Sequence, residues 1–220
     1  GGKMIFMQQR IEKTEIFIRD FFHGDASGHD WYHMDRVRKM ALKICRMEKE
    51  GDPFIIEMGA LLHDFLDDKL HEDIPQARNI LQEFLKDLGI REHEREQIFH
   101  IVENISYRGG NEKELETMEA KIVRDADRLD AIGAIGIART FAYGATRGNP
   151  IYDPKIKIRD RMTMEEYRNG KTSSIHHFYE KLLKLKDLML TQSGKRLAEE
   201  RHRFMENFLE EFFDEWKGVR

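Results

Sequence analysis

Three observations predict an all-helical protein. Only four prolines, at 53, 75, 150 and 154, punctuate 220 residues. Strong helix formers fill the intervals between them. Hydrophobic residues make up 40% of the chain and recur at helical spacing, while no two segments alternate in the way a pair of strands requires. Helices are therefore predicted at about 4–22, 30–50, 54–66, 73–87, 91–107, 113–128, 130–145, 174–190 and 193–217.

The elements follow from local chemistry. Asp52-Pro53 and Asp73-Ile74-Pro75 pair a capping carboxylate with a proline in the first turn, where a missing N–H costs nothing. Asp30 is a cap for the helix that carries His33. The stretch 146–173 holds two prolines and two glycines with little periodicity, so it reads as a long loop, placed over the site as a lid or substrate-contacting insertion. Beyond it, apolar residues from Phe178 to Trp216 form a stripe expected to pack as a helical hairpin, about 174–217; the same stripe also fits the face of a homodimer. The whole is expected to be one domain over 1–220, with a core at about 25–145.

Composition narrows the function. A net charge of −4 gives no basic surface for a nucleic-acid polymer, although local cations can still hold a phosphate. No apolar run approaches the roughly 20 residues of a membrane span, and the lone Cys45 cannot form an internal disulfide, so a reducing cytoplasm is expected. Gly1-Gly2-Lys3 ahead of Met4 reads as an added stretch, and no signal-peptide pattern follows it.

The most informative pair is His63-Asp64, set within the apolar run Met58-Gly-Ala-Leu-Leu-His-Asp-Phe-Leu66. A carboxylate taken out of water neutralises, pairs or binds a metal. Partners of the right kind flank it: His33 in His29-Asp-Trp-Tyr-His33, and Asp127 in Asp125-Ala-Asp-Arg-Leu-Asp130. A His-Asp dipeptide alone is more often a hydrogen-bonded pair than a ligand pair. His29 competes with His33, but Gly28-His29-Asp30 reads as a helix start, whereas His33 lies one turn inside, ahead of Val37 and Ala41 on a packing face.

The ordered set resembles the HD-domain metal-dependent phosphohydrolases, whose ligands run H…HD…D along a compact multi-helix bundle with no significant sheet. The residues carrying the resemblance are His33-Met-Asp-Arg-Val37, Ala60-Leu-Leu-His-Asp64 and Asp125 to Asp130. Asn149-Pro-Ile-Tyr-Asp-Pro154 and His176-His-Phe-Tyr-Glu-Lys-Leu-Leu183 further resemble a branch of small stand-alone proteins linked to nucleotide pyrophosphohydrolysis. The resemblance implies His33, His63, Asp64 and Asp127 as metal ligands. It leaves His29 a supporting or phosphate-contacting role, Asp125 the orientation of a ligand imidazole, and Asp130 the cap of the next helix. Two imidazoles and two carboxylates suit one divalent transition ion, with Mn or Fe favoured over Ni, Co, Zn or Mg.

Asp67, one helical turn beyond His63, is the candidate general acid/base, and the resemblance places an acidic residue at this offset in catalysis. Lys69 and His176 or His177 are candidate contacts to substrate phosphates; Arg128 and Arg139 read instead as ion-pair partners of nearby carboxylates. Arg108 is a further cation for a phosphate, and Tyr107 and Tyr143 have the rings to stack a base but read more safely as core aromatics. His93 and His100, at i and i+7, are rejected as a second metal site because their surroundings form a charged, exposed face. The expected substrate is a phosphorylated small molecule, foremost a nucleoside triphosphate cleaved to monophosphate and pyrophosphate. The alternatives are a nucleoside monophosphate phosphatase, a cyclic-nucleotide phosphodiesterase, and a non-catalytic nucleotide-sensing module.

Overall fold

The computed structural model describes residues 1–23, 30–106, 113–158 and 170–220. Among them the regular elements are all helical, and no strand occurs. They divide into two compact units, Gly1–Ala126 and Asp127–Arg220.

The first unit holds α1 (Gly2–Phe21), α2 (Trp31–Glu48), α3 (Pro53–Leu62), α4 (Ile74–Asp87), α5 (Glu92–Asn104) and most of α6 (Met118–Leu129). Its centre is α3, which packs against α1, α2 and α5. Phe54, Ile55, Ile56, Met58 and Ala60 to Leu62 are all buried, so this helix is apolar all round, as a core helix must be. Gly59 allows its approach to α5: a Cβ there would stand 2.5 Å from Ile101 Cδ1 and 2.9 Å from Ile101 Cγ2. The exception on α3 is Glu57. It faces Arg38 of α2, which also takes Glu15 of α1 at 2.6 Å and Asp35, so one guanidinium ties three helices together. Burial pushes the Glu57 carboxyl up even against the pull of Arg38.

The predicted caps fall into place. Asp30 accepts from the His33 amide at 2.8 Å, Asp52 from Phe54 at 2.9 Å and Asp73 from Gln76 at 3.0 Å. The sixth helix starts later than its apolar pattern suggests because the Thr117 hydroxyl accepts from the Ala120 amide, 3.1 Å, and fixes the first turn there.

The second unit comprises the end of α6, α7 (Gly133–Thr146), α8 (Ser174–Glu180), a 3₁₀ turn (Leu182–Leu188) and α9 (Gln192–Trp216). The seventh helix begins at Gly133, whose positive φ of 73° breaks the chain direction after Asp130; Arg201 packs 3.0 Å from where its Cβ would be. Asp130 does not cap this helix. Its carboxylate instead takes Arg139 at 3.0 Å, an ion pair with a side chain two turns into α7. The predicted helix 174–190 is two elements, because Leu182 and Leu185, three residues apart, bury one edge of a tighter, three-residue turn. The part of the long loop at 159–169 lies outside the described residues. No helix among the described residues is long and apolar enough to cross a membrane.

Candidate metal centre

α2 and α3 bring His33, His63 and Asp64 together. His33 is the third residue of α2, and its backbone is fixed by the Asp30 cap. His63 is the residue at which α3 stops. The helix was predicted to run to 66; it ends at Leu62, and the following residues form consecutive turns, with the Phe65 amide on Leu62 O and the Asp67 amide on Asp64 O. The C-terminal position of His63 is what frees its ring to turn back along the helix.

That ring is oriented by one bond: Nδ1 lies 2.6 Å from Ala60 O. A carbonyl only accepts, so the proton resides on Nδ1 and the Nε2 of the neutral ring carries a lone pair. Nε2 faces His33 Nε2 at 3.3 Å and Asp64 Oδ1 at 3.3 Å, while His33 Nε2 stands 3.5 Å from Asp64 Oδ2. One ligand atom from each residue lies within 4.8 Å of the other two, and among the described residues this is the one such group of histidine and acidic side chains. Both histidines are 3% exposed.

Tested against this donor set, a divalent cation fits. Two imidazole nitrogens and a carboxylate converge out of bulk water, and the rear nitrogen of His63 is already held by a backbone carbonyl, the arrangement that sets tautomer and ring direction in metal-bound histidine. Nitrogen donors favour a transition ion over magnesium.

The remaining candidates take different places. Asp67 was expected on the same helical face as His63; with α3 ended, it sits in the turn that follows, where Oδ1 accepts from the Lys69 amide at 2.8 Å. The Lys69 side chain is exposed. In the second unit the Asp127 carboxylate lies 2.7 Å from Nη1 of Arg128. His176 is buried, with Nε2 donating to Ile156 O at 2.7 Å and Nδ1 accepting from Ser173 Oγ at 2.6 Å, so both ring nitrogens have protein partners. His177 is half-buried on the same short helix. His29, Tyr107 and Arg108 lie outside the described residues. His100 is half-buried and engaged by Asn104 and by the Glu116 amide, 3.1 Å. Sequence reasoning missed the part played by Ala60 O, because a backbone acceptor leaves no residue-type signal.

The all-helical fold and the imidazole-carboxylate cluster together fit a metal-dependent hydrolase. Comparison with known proteins agrees. Residues 30–132 match the HD domain family. Over 213 residues, 96% of each chain, the protein is 35% identical to YpgQ of Bacillus subtilis. Among solved structures, an HD-superfamily hydrolase from Bacillus thuringiensis is 47% identical with a TM-score of 0.78, covering 96% of this chain and 98% of that one. B. subtilis YpgQ in complex with ADP is 33% identical with a TM-score of 0.76, covering 96% and 100%. The chain belongs to the HD domain family and is an HD-superfamily hydrolase of the metal-dependent phosphohydrolase class.

Proposed function

We propose that this hydrolase cleaves a nucleoside triphosphate to the monophosphate and pyrophosphate, using one divalent transition ion, Mn or Fe, held by His33, His63, Asp64 and Asp127. The observation that carries the reading is the convergence of the two Nε2 atoms, 3.3 Å apart, on the Asp64 carboxylate. Asp127 is assigned by its position in the Asp-Ala-Asp-Arg-Leu-Asp motif. The nucleotide is supported by the ADP complex of YpgQ.

Held by these residues, a divalent ion would lower the pKa of coordinated water to about 7 and would polarise a phosphoryl oxygen. The protein supplies the rest. His63, with its proton fixed on Nδ1, presents only its Nε2 lone pair. Asp67 accepts a proton from the attacking water and returns it to the leaving oxygen. Lys69 places a point charge against the phosphate chain, and His177 adds a second contact. His29 takes the supporting role its position in the motif implies. The buried, fully bonded ring of His176 leaves it a structural part. The chain acts as one functional domain in the cytoplasm, where the buried Cys45 stays a free thiol.

Ion-exchange separation of products after incubation with a nucleoside triphosphate and Mn tests the reaction. Monophosphate and pyrophosphate, with no diphosphate intermediate, is the expected result. Orthophosphate released from monophosphates, with triphosphates untouched, would replace it with a phosphomonoesterase, and nucleotide binding without turnover would leave a sensing module.

A further inference from the structure

We propose that His71 is a positioning residue of this site: by donating from Nε2 to Phe65 O it closes the turn segment that directly follows Asp64 and carries Asp67 and Lys69, and so fixes the carboxylates relative to the paired imidazoles. The proposal rests on the hydrolase site described above.

The segment after α3 has no helix to hold it. Four short-range bonds shape it: Phe65 N to Leu62 O, 2.9 Å; Asp67 N to Asp64 O, 3.0 Å; Leu70 N to Asp67 O, 3.0 Å; and Lys69 N to Asp67 Oδ1, 2.8 Å. Each spans two or three residues, as in a succession of turns. A longer-range bond joins the two ends of the segment. His71 Nε2 lies 2.5 Å from Phe65 O, and because a carbonyl only accepts, the proton is on Nε2.

Both ends of that bond are anchored. Phe65 is 2% exposed and meets Phe17 at 5.3 Å and Phe21 at 4.8 Å. The His71 ring stacks on Phe21 at 5.1 Å with planes 21° apart, and stands edge-on to Phe65 at 5.2 Å. Phe65 directly follows the ligand Asp64, and Asp67 and Lys69 lie between the two ends of the bond. An imidazole both stacks on Phe21 and donates to the carbonyl; a phenyl ring does only the first, an amide only the second. Catalytic geometry tolerates little displacement of an acid/base or a ligand, so loss of such a bond acts through the residues it holds.

The two roles separate by substitution. His71→Phe keeps the ring and loses the donor; His71→Gln keeps a donor and loses the ring. Three quantities are measured for each: Tm, Mn affinity of the metal-free protein by calorimetric titration, and kcat and KM for the substrate. His71→Phe is expected to hold Tm near wild type, weaken Mn binding or kcat by about 10- to 100-fold and change KM little. His71→Gln is expected to lower Tm and recover most of the lost Mn affinity and kcat. Should His71→Phe fold poorly, His71→Ala against His71→Gln gives the same contrast, both lacking the ring and differing in the donor. Wild-type Mn affinity and kcat in His71→Phe, or an equal loss in His71→Gln, overturns the proposal. Mn affinity is read without substrate, so wild-type protein that binds Mn and hydrolyses no nucleotide would refute the proposed reaction and leave the His71 comparison decided by its metal affinity.

Discussion

Two buried histidines, His63 in the first unit and His176 in the second, are each 3% exposed and each bonded to a backbone carbonyl, yet the structure uses them differently. In His176 the second nitrogen accepts from the Ser173 hydroxyl at 2.6 Å, and the ring stacks on Tyr152 at 5.6 Å, so its hydrogen-bonding capacity is spent within its own neighbourhood. In His63 the second nitrogen points at another imidazole and a carboxylate, groups that a cation satisfies together. Burial of a histidine therefore says little about function. What decides is whether the second ring nitrogen meets a single hydrogen-bond donor or converges with other lone-pair donors that one cation would satisfy together.

The largest effect that would break this contrast is on the proposed metal ligands. His63→Ala and Asp64→Ala should each abolish hydrolysis while circular dichroism keeps its helical signal, because each removes a proposed ligand at or just past the end of α3 and leaves the apolar helix behind. Asp67→Asn should retain metal by elemental analysis and lose roughly 10²- to 10⁴-fold in kcat, since the amide cannot take a proton at neutral pH; a loss under about tenfold would return Asp67 to a turn-capping role alone.

Effects on stability come next. His176→Ala should leave kcat near wild type and cost about 1–3 kcal/mol in denaturant unfolding, by stranding Ser173 Oγ and Ile156 O; a fall in kcat with unchanged stability would instead give His176 the substrate contact first expected of it. Gly59→Ala should destabilise the first unit by about 1–3 kcal/mol, since the Ile101 branch at 2.9 Å cannot clear the added methyl by rotating its far end.

The smallest effect concerns pH. Burial, followed by the charge of Lys186, pushes His202 below its ordinary 6.5. The unfolded chain then takes up this proton first as pH falls, so the stability His202 contributes is present above about pH 6.5 and lost as pH drops through its lower folded value. Thermal unfolding as a function of pH should show this decline, and His202→Gln should flatten it; a decline of equal slope in the variant would assign it to other groups.

Much of this was legible in the residues. Asp30, Asp52 and Asp73 are caps in sequence and in structure, because a cap is a contact over two or three residues. The His33, His63 and Asp64 cluster was legible as an ordered motif, whereas periodicity alone would have left His63-Asp64 an ordinary pair. Helix ends were less so. α3 stops at Leu62 where the pattern continued to 66, and the run 174–190 breaks at Lys181, because those ends are set by which neighbours bury Phe65, Leu182 and Leu185. His71 gave no signal at all: it sits outside any periodic stretch, and its partners Phe21 and Phe65 become neighbours only in the folded chain.

Calorimetric titration of metal-free protein with Mn, comparing wild type, His63→Ala and His176→Ala, addresses the difference between the two histidines most directly. Wild type and His176→Ala should each bind one ion with closely similar affinity, and His63→Ala should lose that binding. Equal binding by wild type and His63→Ala, or loss confined to His176→Ala, would show that the converging nitrogens of His33 and His63 are not the metal centre.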